Sequence, residues 1–159
     1  MKTNAMRMLD NARIEYEVLN YSIDKEMFSG EAVSDLLGLE YKKCYKTLAL
    51  LHEHDIYICV ISVADELDLK KCAKAFGVKN VEMIHVKDLL KLVSYERGSV
   101  SPVGVKKNKG ICFDDEVLNH EEIEISGGAF GIGLKVNRGK LLKYLNASVS
   151  DLIKEKVSV

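Results

Sequence analysis

The sequence predicts an α+β fold in which a curved, mixed and largely antiparallel sheet carries helices on its outside. Three observations support this prediction. Segments with strand character and segments with helical periodicity are interspersed along the chain. Several strand-like segments are separated by turns of only a few residues. The regular strand–helix–strand alternation with long crossovers, which builds a parallel sheet, is missing.

The composition indicates one globular domain over residues 1–159. This length falls in the usual range of about 100–200 residues for one domain. Hydrophobic residues make up 47% and charged residues 30% of the chain, which is typical of a soluble globular protein. The formal net charge is −1. The overall charge therefore does not indicate a nucleic-acid partner, and such a site would have to be a local patch.

The cysteines and the hydropathy pattern favour a cytoplasmic protein. Cys44, Cys59, Cys72 and Cys112 lie in apolar stretches and form no C-x-x-C pair, which is typical of reduced core residues. Charged residues interrupt the N-terminal apolar positions, so no signal peptide is expected. The longest apolar run, Ile56–Val63, is much shorter than the roughly 20 residues that span a bilayer. No membrane partner is expected.

The first part of the chain predicts two helices and three strands. Ser29 is a suitable N-cap and Gly38 can end the helix that follows. Apolar and β-branched residues on both sides of a polar turn at 52–55 predict a hairpin in the centre of the sheet. The predicted elements are a helix around Met6 and Leu9, a strand over Glu15–Tyr21, a helix from Ser29 through Leu37, and strands over Cys44–Leu51 and Ile56–Val63.

The second part begins with an amphipathic helix between Asp68 and Gly77. Its apolar residues recur at helical spacing while lysines occupy the opposite face. The elements predicted after it are a helix over Val86–Leu92, strands over Gly110–Phe113, Ile123–Ser126 and Ile132–Val136, a helix capped by Asn137 that runs through Leu145, and a last short helix from Asp151.

Lys46 is the most informative single residue. Strand alternation places it on the same face as Leu48 and Leu50. An ammonium group does not stay charged in an apolar core without a partner. Lys46 therefore either extends from the end of the strand to water, or lies at the rim of a pocket and points at a phosphate or a carbonyl.

Two glycine-containing loops are candidate binding sites. Gly98–Gly104 contains two glycines, two serines and the only proline, so it is either an ordinary turn or an anion or oxyanion site. Ser126–Gly133 is rich in glycine but lacks the G-K-[ST] ending of a phosphate loop and leads into a strand. It is either a hairpin turn or a loop that lets a ligand approach the backbone.

The sequence gives little support for metal or triad chemistry. His52 and His54 lie beside Asp55, but no third ligand occurs at a supporting spacing. No serine lies in a G-x-S-x-G elbow. Lysines near the candidate loops form either a rim that contacts phosphate or an ordinary solvated surface. They are Lys42, Lys43, Lys70, Lys71, Lys74, Lys106, Lys107 and Lys109.

Taken in order, five motifs resemble the YbaK family of aminoacyl-tRNA deacylases, which is related to the editing domain inserted in bacterial prolyl-tRNA synthetases. The resemblance extends from about Thr3 to Ile153 and depends on the ordered combination, because no single motif is specific. The motifs are Tyr45-Lys46-Thr47-Leu48, Leu67-Asp68-Leu69-Lys70-Lys71, Gly77 followed by Val81-Glu82-Met83, Gly98-x-x-Ser101-Pro102-x-Gly104, and Ser126-Gly127-Gly128-x-x-Gly131.

The resemblance implies a barrel-like curved sheet with outer helices and a pocket for the amino acid on the tRNA 3′ end. It implies no metal and no cofactor. Its catalytic residues would be Lys46, Gly98 and Ser101, and its substrate-binding residues would be Tyr21, Thr47, Ser99, Pro102, Ser126, Gly127 and Gly128.

The resemblance also implies cleavage without a protein nucleophile. In the cysteine-specific branch the substrate thiol attacks its own ester, which requires thiol and carbonyl to be held in attack geometry. Amides of Gly98–Ser101 would stabilise the oxyanion. Lys46 would bind the phosphate of the terminal adenosine or polarise the ester carbonyl.

The sequence departs from the family pattern in the glycine turn. Ala129 and Phe130 stand where cysteine-editing members usually carry basic residues, and Gly133 where they often have an acid. The absence of a histidine after His120 favours the cysteine type over the alanine type.

The main functional hypothesis is a trans-acting deacylase for mischarged tRNA, first of all Cys-tRNA(Pro). Its partners would be the tRNA 3′ end and prolyl-tRNA synthetase, and not DNA. Two alternatives remain open. One is a deacylase for tRNA charged with alanine or serine, and the other is a catalytically silent module that binds tRNA or a synthetase.

Overall fold

The structure, a computed structural model, describes residues 1–155. Its helices begin and end close to the predicted positions, except at the C-terminus. Among the described residues the α-helices are α1 (Asn4–Asn11), α2 (Gly30–Leu37), α3 (Leu69–Phe76), α4 (Val86–Val93) and α5 (Arg138–Leu145). Short 3₁₀ turns cover Lys25–Met27, Tyr41–Lys43 and Asp115–Asn119.

The strands form two sheets, of five and three strands, with order β4-β2-β3-β5-β8 and β1-β7-β6. Pairing is antiparallel except between β3 and β5 and between β5 and β8, which are parallel. The strands are β1 (Tyr16–Asn20), β2 (Tyr45–His52), β3 (Asp55–Ser62), β4 (Glu82–Met83), β5 (Asn108–Asp114), β6 (Glu122–Ser126), β7 (Ile132–Asn137) and β8 (Ser148–Ser150). The predicted mixed, largely antiparallel α+β architecture is confirmed.

The two sheets meet where β2 begins. Cys44 forms an isolated parallel bridge with Glu124 of β6. Near its other end β2 pairs with β4 through Leu50 and Leu51. The bridge between Cys44 and Glu124 joins the three-stranded sheet to the five-stranded one.

The central position of the β2–β3 hairpin is confirmed. Alternate residues of β3 belong to two apolar clusters, with Ile58 and Val60 in one and Cys59 and Ile61 in the other. Helices α1, α4 and α5 contribute to the first cluster, and α3 contributes to the second. Burial on both faces explains why this hairpin reads as a nearly continuous apolar run.

The predicted caps fix three helices in place. The side chains of Ser29, Asp68 and Asn137 accept hydrogen bonds from backbone N–H groups in the first turns of α2, α3 and α5. Gly38 and Gly77 adopt left-handed conformations directly after α2 and α3. These caps satisfy backbone groups that a helix end leaves unpaired.

The predicted helix from Asp151 is wrong for residues 151–155, and residues 156–159 lie outside the described part. Asp114, which is buried, accepts a hydrogen bond from the Leu152 N–H at 3.0 Å. Ile153 forms a bridge with Leu67. These tertiary contacts hold the segment extended and override its local helical pattern. Within residues 1–155, no helix is both long and apolar enough to cross a membrane.

Candidate functional site

A cavity of about 510 Å³ opens beside the first half of β2. Its walls come from β2, α2, the segment 83–89, the loop 97–100 and β6. Five of the ten residues that the resemblance assigns to the site line this cavity, and they are Tyr21, Lys46, Thr47, Gly98 and Ser126. The structure therefore brings together residues that lie far apart in the sequence.

Lys46 lies half-buried in the cavity wall. Burial lowers the pKa of its ammonium group, and the carboxylates of Asp65, Glu31 and Glu66 partly oppose this shift. No ion pair within residues 1–155 includes Lys46. A cation in this position can bind an anionic or strongly polarised oxygen of a ligand.

Two hydroxyl groups in the cavity wall lack hydrogen-bond partners. The hydroxyl oxygens of Tyr45 and Thr47 are buried and make no hydrogen bond with any residue that the structure describes. Buried polar atoms are nearly always paired, and exceptions need an explanation. These two hydroxyls are therefore exceptions among the residues that the structure describes.

Only part of the loop after α4 faces the cavity. Gly98, which has a φ of 87°, and Val100 line it. The N–H and the hydroxyl of Ser99 both donate to the Glu96 carbonyl, at 3.0 and 2.9 Å. Ser101 is fully buried and its Oγ accepts from the Val103 N–H at 3.1 Å. The Ser99 amide and the Ser101 hydroxyl are thus engaged inside the protein.

Ser126 ties the two glycine-containing loops together. Its Oγ donates to the Ser99 carbonyl at 2.9 Å and accepts from the Gly128 N–H at 3.1 Å. Gly127 lies outside the cavity, where its carbonyl accepts from the Thr3 hydroxyl at 2.7 Å. Of the assigned residues outside the cavity, Ser99 and Gly128 line a neighbouring one, whereas Ser101, Pro102 and Gly127 line neither.

Sequence reasoning missed Glu124, which lines the cavity from β6 and is buried. Burial raises the pKa of this carboxyl from 4.5 to about 7, although a hydrogen bond from the Cys44 thiol opposes the shift. The side chain occupies space next to Gly133, where an added Cβ would lie 2.5 Å from its Oε2. The available signal was an acid between two isoleucines in a predicted strand.

Aromatic rings border the cavity on the side of the glycine turn. The Phe130 ring lies 5.3 Å from that of Phe28 and 6.2 Å from that of Tyr21, between centroids. The Lys25 ammonium lies 5.9 Å from the Phe130 centroid. A second cavity of about 710 Å³ adjoins this cluster and shares Phe28 and Arg97 with the first.

Gly30, at the start of α2, forms part of the wall because it has no side chain. An added Cβ would lie 2.6 Å from Cγ1 of Val63. We expect Gly30→Ala to lower the free energy of unfolding by about 1–3 kcal/mol, through overpacking. Gly139→Ala in α5 is the matched control, since its Cβ would meet nothing closer than 3.5 Å. Equal urea-unfolding curves for the two variants would contradict this prediction.

Comparisons with known proteins agree on one family. The model of the family described as aminoacyl-tRNA editing domain matches residues 24–154. EbsC of Enterococcus faecalis, which carries the provisional name Cys-tRNA(Pro)/Cys-tRNA(Cys) deacylase, is 34% identical over 152 residues, covering 95% of this chain and 93% of EbsC. A proline–tRNA ligase of Bacillus cereus is 26% identical over 89 residues, covering 56% of this chain and 16% of the ligase.

A solved structure supports the fold. The crystal structure of a protein described, also provisionally, as a trans-editing enzyme for prolyl-tRNA synthetase superposes with a TM-score of 0.82. The alignment covers 98% of this chain and 99% of that one, at 21% identity. The mixed sheets and outer helices are therefore those of a known fold.

Proposed function

Because the chain belongs to the aminoacyl-tRNA editing domain family, and is on that ground an aminoacyl-tRNA deacylase, we propose that it acts in trans on mischarged tRNA, with Cys-tRNA(Pro) as its preferred substrate. The observation that carries the proposal is the half-buried Lys46 in the wall of a largely apolar cavity. The cavity takes the amino acid, and Lys46 binds the ester carbonyl or a phosphate of the terminal adenosine.

The lining of the cavity suits a small, uncharged side chain. Val33, Leu48, Val63, Ile84 and Leu89 supply apolar surface. A cysteine thiol is weakly polar and behaves much like a small apolar group.

The proposed reaction uses the substrate thiol as the nucleophile. The thiol sulfur forms a bond to the ester carbonyl carbon, the bond from that carbon to the ribose oxygen breaks, and the thiol proton passes to the ribose oxygen. The resulting thiolactone then hydrolyses in water. This first step is formally a lyase reaction, and it needs orientation and charge stabilisation but no protein nucleophile. Lys46 supplies the positive charge, and the backbone at Gly98 is the candidate for the oxyanion contact.

The second cavity is the proposed place of the terminal nucleotide. Phe130 offers a ring face for a base, and Lys25 and Arg97 offer cations near the backbone phosphate. Aromatic stacking and cations together are typical of single-strand binding. In this proposal the ring and the cations replace the basic residues that the glycine turn lacks at Ala129 and Phe130.

Phe130→Ala is expected to raise KM for the charged tRNA about tenfold with little change in kcat, since stacking on one base contributes about 1–3 kcal/mol. Steady-state deacylation kinetics measure this split. Phe76→Ala is the control, because Phe76 stacks on Tyr57 at 4.6 Å and lines neither cavity. A Phe130→Ala enzyme with an unchanged KM would contradict the nucleotide assignment.

The proposed substrate implies a cytoplasmic site of action and prolyl-tRNA synthetase as the source of the mischarged tRNA. We propose that residues 1–159 work as one domain that leaves recognition of the tRNA body to the synthetase or to the tRNA itself. Binding of the purified synthetase, with and without tRNA(Pro), tests this partnership. If added synthetase does not change the rate at which the protein releases cysteine from free Cys-tRNA(Pro), the synthetase is not required.

A panel of charged tRNAs tests the substrate. The departures at Ala129, Phe130 and Gly133 motivate comparing cysteine with alanine and serine. The proposal expects release from Cys-tRNA(Pro) to exceed that from Ala- and Ser-charged tRNA(Pro). Faster release of alanine or serine would overturn the thiol mechanism. Binding without release of any ester would identify a silent binding module.

A further inference from the structure

Glu124 is a buried carboxyl group without a cationic partner. No ion pair within residues 1–155 includes it, and the side-chain hydrogen bond that it accepts comes from the Cys44 thiol, a weak donor. An unpaired buried carboxylate is strongly unfavourable. The carboxyl therefore either binds a proton or requires a cation that enters with a ligand.

The neighbouring basic residues do not fill this role. Lys135 lies directly opposite Glu124 in the β6–β7 pair, but its ammonium pairs with Glu122 at 3.8 Å. Lys46 and Arg97 line the same cavity, yet within residues 1–155 neither forms an ion pair with Glu124. Burial raises the pKa of the Tyr21 phenol and the charge of Glu124 adds to this shift, so Tyr21 supplies no positive charge. The cavity thus presents a carboxyl and an ammonium group that do not neutralise each other.

The backbone is shaped to hold this carboxyl. A side chain at Gly133 would collide with Oε2 of Glu124, so glycine at that position leaves the space that the carboxylate fills. The bridge between Cys44 and Glu124 fixes the strand at the junction of the two sheets. The carboxyl is consequently held in the cavity wall by two neighbouring elements.

We propose that the Glu124 carboxylate binds the α-ammonium group of the aminoacyl ester, so that the cavity selects esters with a free amino group. This inference rests on the proposed function. An aminoacyl ester carries its ammonium group on the carbon next to the ester carbonyl. A cavity that presents this one carboxyl beside the cations Lys46 and Arg97 can therefore bind the ammonium group at Glu124 and an ester or phosphate oxygen at Lys46. Binding would supply the cation that the buried carboxylate lacks.

The test compares Cys-tRNA(Pro) with 3-mercaptopropionyl-tRNA(Pro), which keeps the thiol and the ester but has no amino group. The measured quantity is the ratio of kcat/KM for Cys-tRNA(Pro) to kcat/KM for the ester without the amino group. This ratio should be about 10- to 100-fold higher for the wild-type protein than for Glu124→Gln, as expected for a charge-assisted hydrogen bond. The ratio in the variant reports the intrinsic reactivities of the two esters. Glu121→Gln, an exposed change just before the same strand, should keep the wild-type ratio.

Two further arms keep the outcomes distinct. Gly133→Ala displaces the carboxylate without removing it and should lower the preference in the same direction. The second arm measures binding and needs no turnover. It compares adenosine that carries cysteine at its 3′ position through an amide bond with the same compound without the α-amino group. Equal preferences in wild-type and Glu124→Gln proteins, in turnover or in binding, would overturn the inference. Absence of turnover with any ester, combined with a Glu124-dependent preference in binding, would overturn the proposed deacylase function alone.

Discussion

Lys46→Ala is expected to lower kcat/KM for Cys-tRNA(Pro) by about 100- to 1,000-fold, the loss typical of removing one group that stabilises charge in the transition state. Lys46 lies half-buried in the cavity wall without an ion-pair partner among residues 1–155. In so apolar a site its charge acts on the ester more strongly than it would in water. The effect should appear mainly in kcat if Lys46 polarises the carbonyl, and mainly in KM if it binds a phosphate.

The control for this variant is Lys43→Ala. Lys43 is exposed, pairs with Glu40 at 3.9 Å and lies outside the cavity. Its removal should change kcat/KM by less than about threefold, as expected for a surface charge. Both variants should unfold like the wild type in urea. A folded Lys46→Ala protein with wild-type kcat/KM would remove Lys46 from the mechanism and leave the cavity without its proposed charge.

Glu124→Gln is expected to stabilise the folded protein relative to the wild type at pH 8 by about 3–4 kcal/mol, and to have almost no such effect near pH 4.5. The folded state raises the pKa of Glu124 from 4.5 to about 7, mainly through burial. Each pKa unit corresponds to about 1.4 kcal/mol. The native state therefore holds this proton more tightly than the unfolded chain does between these two pH values.

The sign follows from this difference in proton binding. The stabilising contribution of the protonated carboxyl is fully present below pH 4.5 and is lost as the pH rises through 7. Glutamine does not titrate, so the difference between variant and wild type should grow across this window. Urea unfolding at pH 5, 6, 7 and 8 measures it, with Glu121→Gln as the exposed control. If the difference in free energy of unfolding between variant and wild type stays constant with pH, burial does not disfavour the charged form of the Glu124 carboxyl.

Much of the fold could be predicted because its signals are local. The side chains of Ser29, Asp68 and Asn137 begin helices where the sequence predicted, through hydrogen bonds within one turn of the chain. Strands β4 and β8 were missed because two or three residues cannot display a period. The segment after Asp151 was misjudged because its conformation depends on Asp114, which lies far away in the sequence.

The candidate site was predicted less completely, for the same physical reason. The ordered motifs assigned both Lys46 and Gly98 to the site, and both residues line the cavity. It did not separate Gly98 from Ser101, because the positive φ of Gly98 and the buried turn at Ser101 depend on tertiary packing. Glu124 was overlooked because an acid in a strand is ordinarily exposed. Its carboxyl lies in the space that glycine at position 133 leaves open, and this contact is visible in the folded structure and not in the sequence.

Release of labelled cysteine from Cys-tRNA(Pro) by the purified protein, beside correctly charged Pro-tRNA(Pro), tests the central claim most directly. The account predicts multiple-turnover release of cysteine that depends on Lys46, while Pro-tRNA(Pro) stays as stable as it is in buffer. Cys-tRNA(Pro) that survives equally well with and without the folded protein would contradict it.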